Sequence, residues 1–127
     1  LGPVKEGKNL NDTSLVLKMI YKDVSFLFTG DAEKTEESDI INAKYNLKAD
    51  VLKVGHHGSR TSSSENFLKK VSPKFAVISV GPDKNNLPKE EILKRIEKYC
   101  KNIHRTDLNG NIIISTDGKN IKVKSEK

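Results

Sequence analysis

Asp50-Val51-Leu52-Lys53-Val54-Gly55-His56-His57-Gly58-Ser59 is an apolar run that stops at a glycine and then delivers two of the chain's three histidines together. A short Val/Leu segment closed by Gly reads as a buried strand, and residues just past a strand end sit where many α/β proteins keep their chemistry. Glycines flanking the histidines let the backbone turn sharply and leave room for a ligand. Taken alone, the pair has two readings, a functional loop or a surface coincidence. The rest of the chain decides between them.

Downstream, the Ser-x-x-Glu spacing from Ser62 to Glu65 reads as a capping box, so a helix is expected to start there and to bury Phe67, Leu68 and Val71 before ending near Ser72-Pro73. Residues 75–80 are almost continuously apolar, as a central strand covered on both faces would be. Gly81-Pro82 ends that strand, a polar loop is expected at 83–86, and Pro88 suits the first turn of a helix. In that helix Ile92, Leu93, Ile96, Tyr99 and Cys100 form a buried stripe, so Cys100 is a small core residue. Beyond it, residues 103–107, 111–116 and 120–124 are expected to form a β-meander. Its turns would fall at Asn109-Gly110 and Asp117-Gly118, the two dipeptides that most favour hairpins.

Upstream, residues 14–21 place Leu15, Leu17, Met19 and Tyr21 on one face, and residues 24–28 form a second apolar run, so the two read as a strand pair. Thr29-Gly30-Asp31 closes the second strand. A helix over 32–47 follows, its first turn enriched in acidic residues where the helix dipole favours them. The order β-β-α-β-α-β-α-β-β-β describes an α/β fold with a mixed sheet, crossover helices and antiparallel strands at both ends. Residues 1–127 are expected to form one domain or part of one, with 1–11 an irregular entry segment and 125–127 a frayed tail.

With 127 residues, 35% hydrophobic and 31% charged, the composition is that of a globular chain with a well solvated surface, and no apolar run approaches the ~20 residues needed to cross a bilayer. A net charge of +6 favours polyanions, but lysines scattered over helix faces give the same total. A single cysteine excludes an intrachain disulfide.

If the strands ending at Thr29-Gly30-Asp31 and at Gly55 run parallel, both ends emerge at one edge of the sheet, and Asp31, His56 and His57 converge. An Asp and two His are suitable ligands for zinc, manganese or iron, and also suitable acid-base groups. Asp31 equally suits a helix N-cap. Ser59, Arg60 and Ser62 read either as small polar loop residues leading into a helix or as groups facing a phosphate. His104, in mid-strand, reads as an ordinary strand residue.

Asn11-Asp12-Thr13-Ser14-Leu15-Val16-Leu17, Phe28-Thr29-Gly30-Asp31-Ala32-Glu33, residues 49–59 and 76–81, and Arg105-Thr106-Asp107 with Ser115-Thr116-Asp117-Gly118 occur in an order that closely resembles the metallo-β-lactamase-like domain of ComEC-type competence proteins. The resemblance covers nearly the whole chain. It implies the C-terminal half of an αββα sandwich whose complete form holds two divalent metal ions, zinc or manganese, and whose relatives cleave phosphodiesters. It makes Asp31 the carboxylate that bridges the metals, and it makes His56 and His57 one ligand-or-catalytic unit, with His57 a metal ligand beside Asp31. Ser59, Arg60 and Ser62 would bind substrate.

Two departures limit what the resemblance implies. The family's upstream His/Asp-rich metal motif is absent from this chain, and where relatives carry a His before a Pro the chain has Leu87 before Pro88. Two functions of different class follow. The first is the C-terminal part of a metal-dependent hydrolase acting on DNA during uptake, inactive as this fragment and binding no metal tightly. The second is a metal-free relative that binds DNA or a membrane channel through Arg60 and surface lysines. The expected partners are DNA, the missing N-terminal half, a membrane channel in the parent protein and further copies of the chain. The expected location, by resemblance, is extracytoplasmic or exported.

Overall fold

In a computed structural model, residues 1–5, 9–82 and 86–127 are described. The loop expected at 83–86 lies outside them except for Asn86. Two apolar runs fold back on each other as the antiparallel strands β1 (Leu17–Tyr21) and β2 (Val24–Phe28), with Leu17 opposite Phe28 and Tyr21 opposite Val24. The order continues with α1 (Lys34–Asn42), β3 (Val51–Lys53), α2 (Glu65–Val71), β4 (Phe75–Ile78), α3 (Glu90–Glu97) and β5 (Asn102–Arg105). Helices thus separate β2 from β3, β3 from β4 and β4 from β5, and each of β3, β4 and β5 lies parallel to the strand before it. The sheet order β1-β2-β3-β4-β5 follows the sequence. Crossovers of one hand between sequential neighbours put all three helices on one face.

Side-chain alternation sorts the strands into two layers. Leu27, Leu52, Val54, Ala76 and Ile78 face the helices and meet Ile40, Phe67, Leu68, Val71, Ile92 and Ile96 in the main core, where burying each large side chain contributes about 1.5–3 kcal/mol. Cys100 lies in that core, as expected. Phe26, Val51, Phe75 and Val77 face the other way, against Ile114 and Ile121 of a hairpin made by β6 (Ile112–Thr116) and β7 (Ile121–Ser125). The hairpin covers only part of this face. Leu17 and Met19 are each 50% exposed, Tyr21 47% and Phe28 40%, and a cavity of about 630 Å³ is lined by Met19, Tyr21 and Phe28 on the sheet and by Ile112 and Ile114 on the hairpin.

Several expectations are corrected. Of the three C-terminal strands, only the last two pair with each other. The first, β5, joins the main sheet beside β4, and Asn109-Gly110 ends a one-turn helix, α4 (Thr106–Asn109), instead of turning a hairpin. The tail is not frayed, because Ser125 belongs to β7 and the amides of Glu126 and Lys127 donate to the carbonyls of Asn111 and Asn109. Helix α1 stops at Asn42, five residues before the expected Leu47. The capping box at Ser62 does not form. Ser64 is the N-cap of α2, accepting from the Phe67 amide at 3.3 Å, because the Ser62 hydroxyl is already committed to the Ala32 carbonyl at 2.6 Å. Among the described residues no helix is long and apolar enough to cross a membrane.

Candidate functional site

The parallel pairing of β2 and β3 brings Thr29-Gly30-Asp31 and Gly55-His56-His57-Gly58 to one edge of the sheet. Hydrogen bonds then stitch the two loops together. The His56 amide donates to the Gly30 carbonyl at 2.9 Å, the Thr29 hydroxyl to the Lys53 carbonyl at 3.2 Å and the Lys34 amide to the Thr61 carbonyl at 2.9 Å. From α1, Glu37 takes the amides of Ser63 at 2.6 Å and Ser64 at 2.9 Å, one on each carboxylate oxygen. Glu37 is buried. That desolvation raises its pKa, and the Ser64 and Ser63 amides oppose the rise.

His56 and His57 both adopt left-handed backbone geometry, with φ of 48° and 55°. Consecutive non-glycine residues in that region are strained, and such strain persists where surrounding bonds over-determine it. The bonds to Gly30 and Ser79 are of that kind, and so is the packing of Gly58. Its φ is +84°, the Lys89 amide donates to its carbonyl at 3.0 Å, and a Cβ built on it would meet Pro88, reaching its Cα at 3.0 Å. Gly58→Ala is therefore expected to lower stability by about 2 kcal/mol and to displace the histidine loop. A denaturation midpoint within error of the parent, with unchanged histidine ring resonances, would refute this packing argument.

The two histidines are used differently. Nδ1 of His57 lies 2.6 Å from the Ser79 carbonyl, which can only accept, so Nδ1 carries a proton and Nε2 is the ring nitrogen turned toward the strand edge. Asp31 Oδ1 is 3.8 Å from that Nε2. His56 sits on the other side of the loop, its Nδ1 3.3 Å from the Thr61 hydroxyl and 4.0 Å from Glu33 Oε2. Asp31 is not a helix cap, because the N-cap position of α1 is Glu33. Lys53, beside this edge, has its pKa lowered by burial and pulled back up by the charge of Asp31.

Of the residues expected to bind substrate, Ser59 is half-buried and bonded to Thr61 at 3.0 Å, and Arg60 is exposed, 3.4 Å from Glu91. Ser62 is 0% exposed, so its expected role in substrate binding is corrected to a structural one. His104 packs near the Phe75 ring, centroids 6.3 Å apart, away from the other two histidines. Leu87 is packed against the main core. Glu33, Thr61, the Ser79 carbonyl and Glu37 complete the site without having been singled out in the sequence. Only Glu33, two residues after Asp31, carried a spacing signal. Thr106 fixes the strand end that bears Ser79, exchanging bonds of 2.7 Å with both the amide and the carbonyl of Val80.

Among the described residues no group of three or more His, Cys, Asp or Glu could hold a metal ion. Asp31 and His57 are two donors, one fewer than the three protein ligands of a catalytic zinc.

Residues 4–81 match the family model described as the metallo-beta-lactamase superfamily. The chain is 45% identical over 105 residues to ComE operon protein 3 of Bacillus subtilis, covering 80% of this chain and 13% of that protein. It is 40% identical over 110 residues to competence protein ComA of Neisseria gonorrhoeae, covering 83% and 16%, and 39% identical over 92 residues to recombination protein 2 of Haemophilus influenzae, covering 72% and 11%. It thus spans less than a fifth of the length of each of these curated relatives.

Proposed function

Because the chain belongs to the metallo-β-lactamase superfamily, we propose that it carries one wall of a metal-dependent phosphodiester hydrolase acting on DNA, and that chain outside these 127 residues supplies the other wall. The observation that carries this reading is Asp31 Oδ1 3.8 Å from Nε2 of His57, a ring oriented by the contact of its Nδ1 with the Ser79 carbonyl. A carboxylate oxygen and an imidazole nitrogen are a fitting donor pair for zinc or manganese. An ion held there would supply Lewis acidity toward a phosphoryl oxygen.

The chain's own groups divide the remaining work. His56, positioned by Thr61 and near Glu33, has its Nε2 available to hold or release a proton at the leaving oxygen. Arg60 and the Ser59 hydroxyl lie on the same loop, where they would bind the phosphate. The uncovered sheet face with Leu17, Met19, Tyr21 and Phe28 is where the missing half would pack. An extracytoplasmic position, a membrane channel as partner and inactivity of this fragment belong to the same proposal.

The test compares the chain alone with the protein extended upstream, on bis-p-nitrophenyl phosphate and on linear DNA, with manganese or zinc added. The extended protein is expected to cleave both and to lose cleavage in Asp31→Ala, while the chain alone does neither. If the extended protein is inert with both metals, the reading fails in favour of a metal-free module binding DNA or a channel through Arg60 and surface lysines.

Left alone, the exposed face is expected to drive self-association. Sedimentation should show concentration-dependent mass in the parent chain, and Leu17→Lys with Met19→Lys should abolish it. A monomer at all concentrations would contradict the argument from exposed area.

A further inference from the structure

Parallel strands with helices between them give the molecule two chemically different ends. The candidate site occupies the end where β2, β3, β4 and β5 finish. At the opposite end β3, β4 and β5 begin, with Val51 level with Phe75 and Phe75 level with Asn102, and the β1-β2 turn lies there too. The hairpin turn joins this end, since the Asp23 amide donates to the Gly118 carbonyl at 2.9 Å and the Lys22 side chain lies over Gly118.

Each of these turns carries an exposed lysine: Lys22 between β1 and β2, Lys48 before β3, Lys74 before β4, Lys101 before β5 and Lys119 between β6 and β7. The turns are tied to one another. Lys48 Nζ donates to the Ser72 carbonyl at 2.6 Å, Lys74 is 3.6 Å from Asp50, and the Asn102 side chain donates to the Lys74 carbonyl at 3.1 Å. Two of the nearby acids are engaged with backbone. Asp50 accepts the Ser25 amide, and Asp117 accepts the amides of Lys119 and Asn120. Tyr45, 47% exposed in the segment that leads from α1 to Lys48, adds an amphipathic ring.

All three arginines lie away from this end. Arg60 is on the histidine loop, Arg95 donates to the Ser63 carbonyl and Arg105 ends β5. Arginine's planar fork suits individual phosphates, whereas lysine is a hydrated point charge suited to a diffuse anionic surface. Lysines spread over five separate turns, with no arginine among them, match a plane of negative charge better than a single phosphate track. An amphipathic tyrosine among them matches the polar boundary of a bilayer.

We infer that the lysine-bearing end, opposite the candidate site, is a docking surface for an anionic lipid bilayer. Docked this way, the chain holds Asp31, His56 and His57 on the side that faces solution. The surface is independent of the proposed hydrolysis, because it shares no residue with that site.

The test is co-sedimentation of the 127-residue chain with vesicles of phosphatidylcholine alone and of phosphatidylcholine mixed with phosphatidylglycerol. Binding is expected only to the mixed vesicles and should weaken as salt rises. Lys22→Glu, Lys48→Glu, Lys101→Glu and Lys119→Glu together should weaken it by about tenfold or more. A control with the same charge change elsewhere, Lys34→Glu, Lys94→Glu, Lys124→Glu and Lys127→Glu, should weaken it by less than about threefold. The four Lys→Gln counterparts of the docking variant give a second measure should charge reversal disturb folding. Equal losses in the two sets would reduce the effect to net charge and overturn the proposal. So would absence of vesicle binding, or loss of DNA binding in the docking variant by a chain that ignores the vesicles.

Discussion

Glu37→Ala is expected to cost about 3–5 kcal/mol of folding stability, a large part of the ~5–15 kcal/mol that holds a domain together. The Glu37 carboxylate is 2% exposed and accepts two successive amides, Ser63 at 2.6 Å and Ser64 at 2.9 Å. Truncation leaves the buried Ser63 amide and the part-buried Ser64 amide with no acceptor, at about 1–3 kcal/mol each, and opens a cavity where the side chain stood. The loss also reaches the site. Ser63 and Ser64 sit between the histidine loop and α2, so without Glu37 the segment keeps only the Lys34–Thr61 backbone bond to the helix that follows Asp31. Glu37→Gln keeps one acceptor and should cost about half as much or less. Urea denaturation measures the first effect, and amide exchange at Ser63 and Ser64 measures the second. A Glu37→Ala chain within about 1 kcal/mol of the parent would show that the two hydrogen bonds are not what holds the loops together.

Much of this arrangement was legible from Gly55-His56-His57-Gly58 and Thr29-Gly30-Asp31, because a parallel pair of strands must deliver both endings to one edge. The apolar periods of 67–71, 75–78 and 92–100 identified core elements for the same reason: burial follows spacing. Partner choice was not legible. Ser62 has the spacing of a capping box, yet its hydroxyl is taken by a carbonyl thirty residues earlier in the chain. Asn109-Gly110 favours a hairpin locally, but β5 gains more by joining β4, and the glycine then ends a helical turn. Leu17, Met19 and Tyr21 alternate as a buried face would, and only the extent of the β6-β7 hairpin shows that they are left uncovered. The Ser79 carbonyl that orients the His57 ring is a backbone group, so no residue type announces it. Acidic residues at the start of α1 read as partners of the helix dipole, whereas Glu36 and Glu37 point inward and are as buried as the core leucines.

Glu36 makes the second large expectation one about pH. It is 2% exposed, neither carboxylate oxygen has a hydrogen-bond partner, and Asp12, itself 5% exposed, has one oxygen in the same condition. Burial first, and then the charge of Asp12, raise the Glu36 pKa from the ordinary 4.5 to about 7, and Asp39 and Glu37 add to the rise. A carboxyl whose pKa is higher in the folded state holds its proton more tightly there. Its contribution is therefore fully present below the unfolded value and is lost as pH rises through about 7. The loss amounts to about 3 kcal/mol. Glu36→Gln keeps the shape and removes the titration, so it should match the parent near pH 4 and exceed it by about 2–3 kcal/mol near pH 8. Asp12→Asn should move the parent's transition to lower pH, because it removes the second cause of the shift. Glu37, also raised by burial, adds a slope of the same sign, so the measurement is the difference between Glu36→Gln and the parent across the pH series. If that difference is constant from about pH 5 to pH 8, Glu36 does not titrate in this range, and the neighbouring Asp12 charge must be neutralised by some other group.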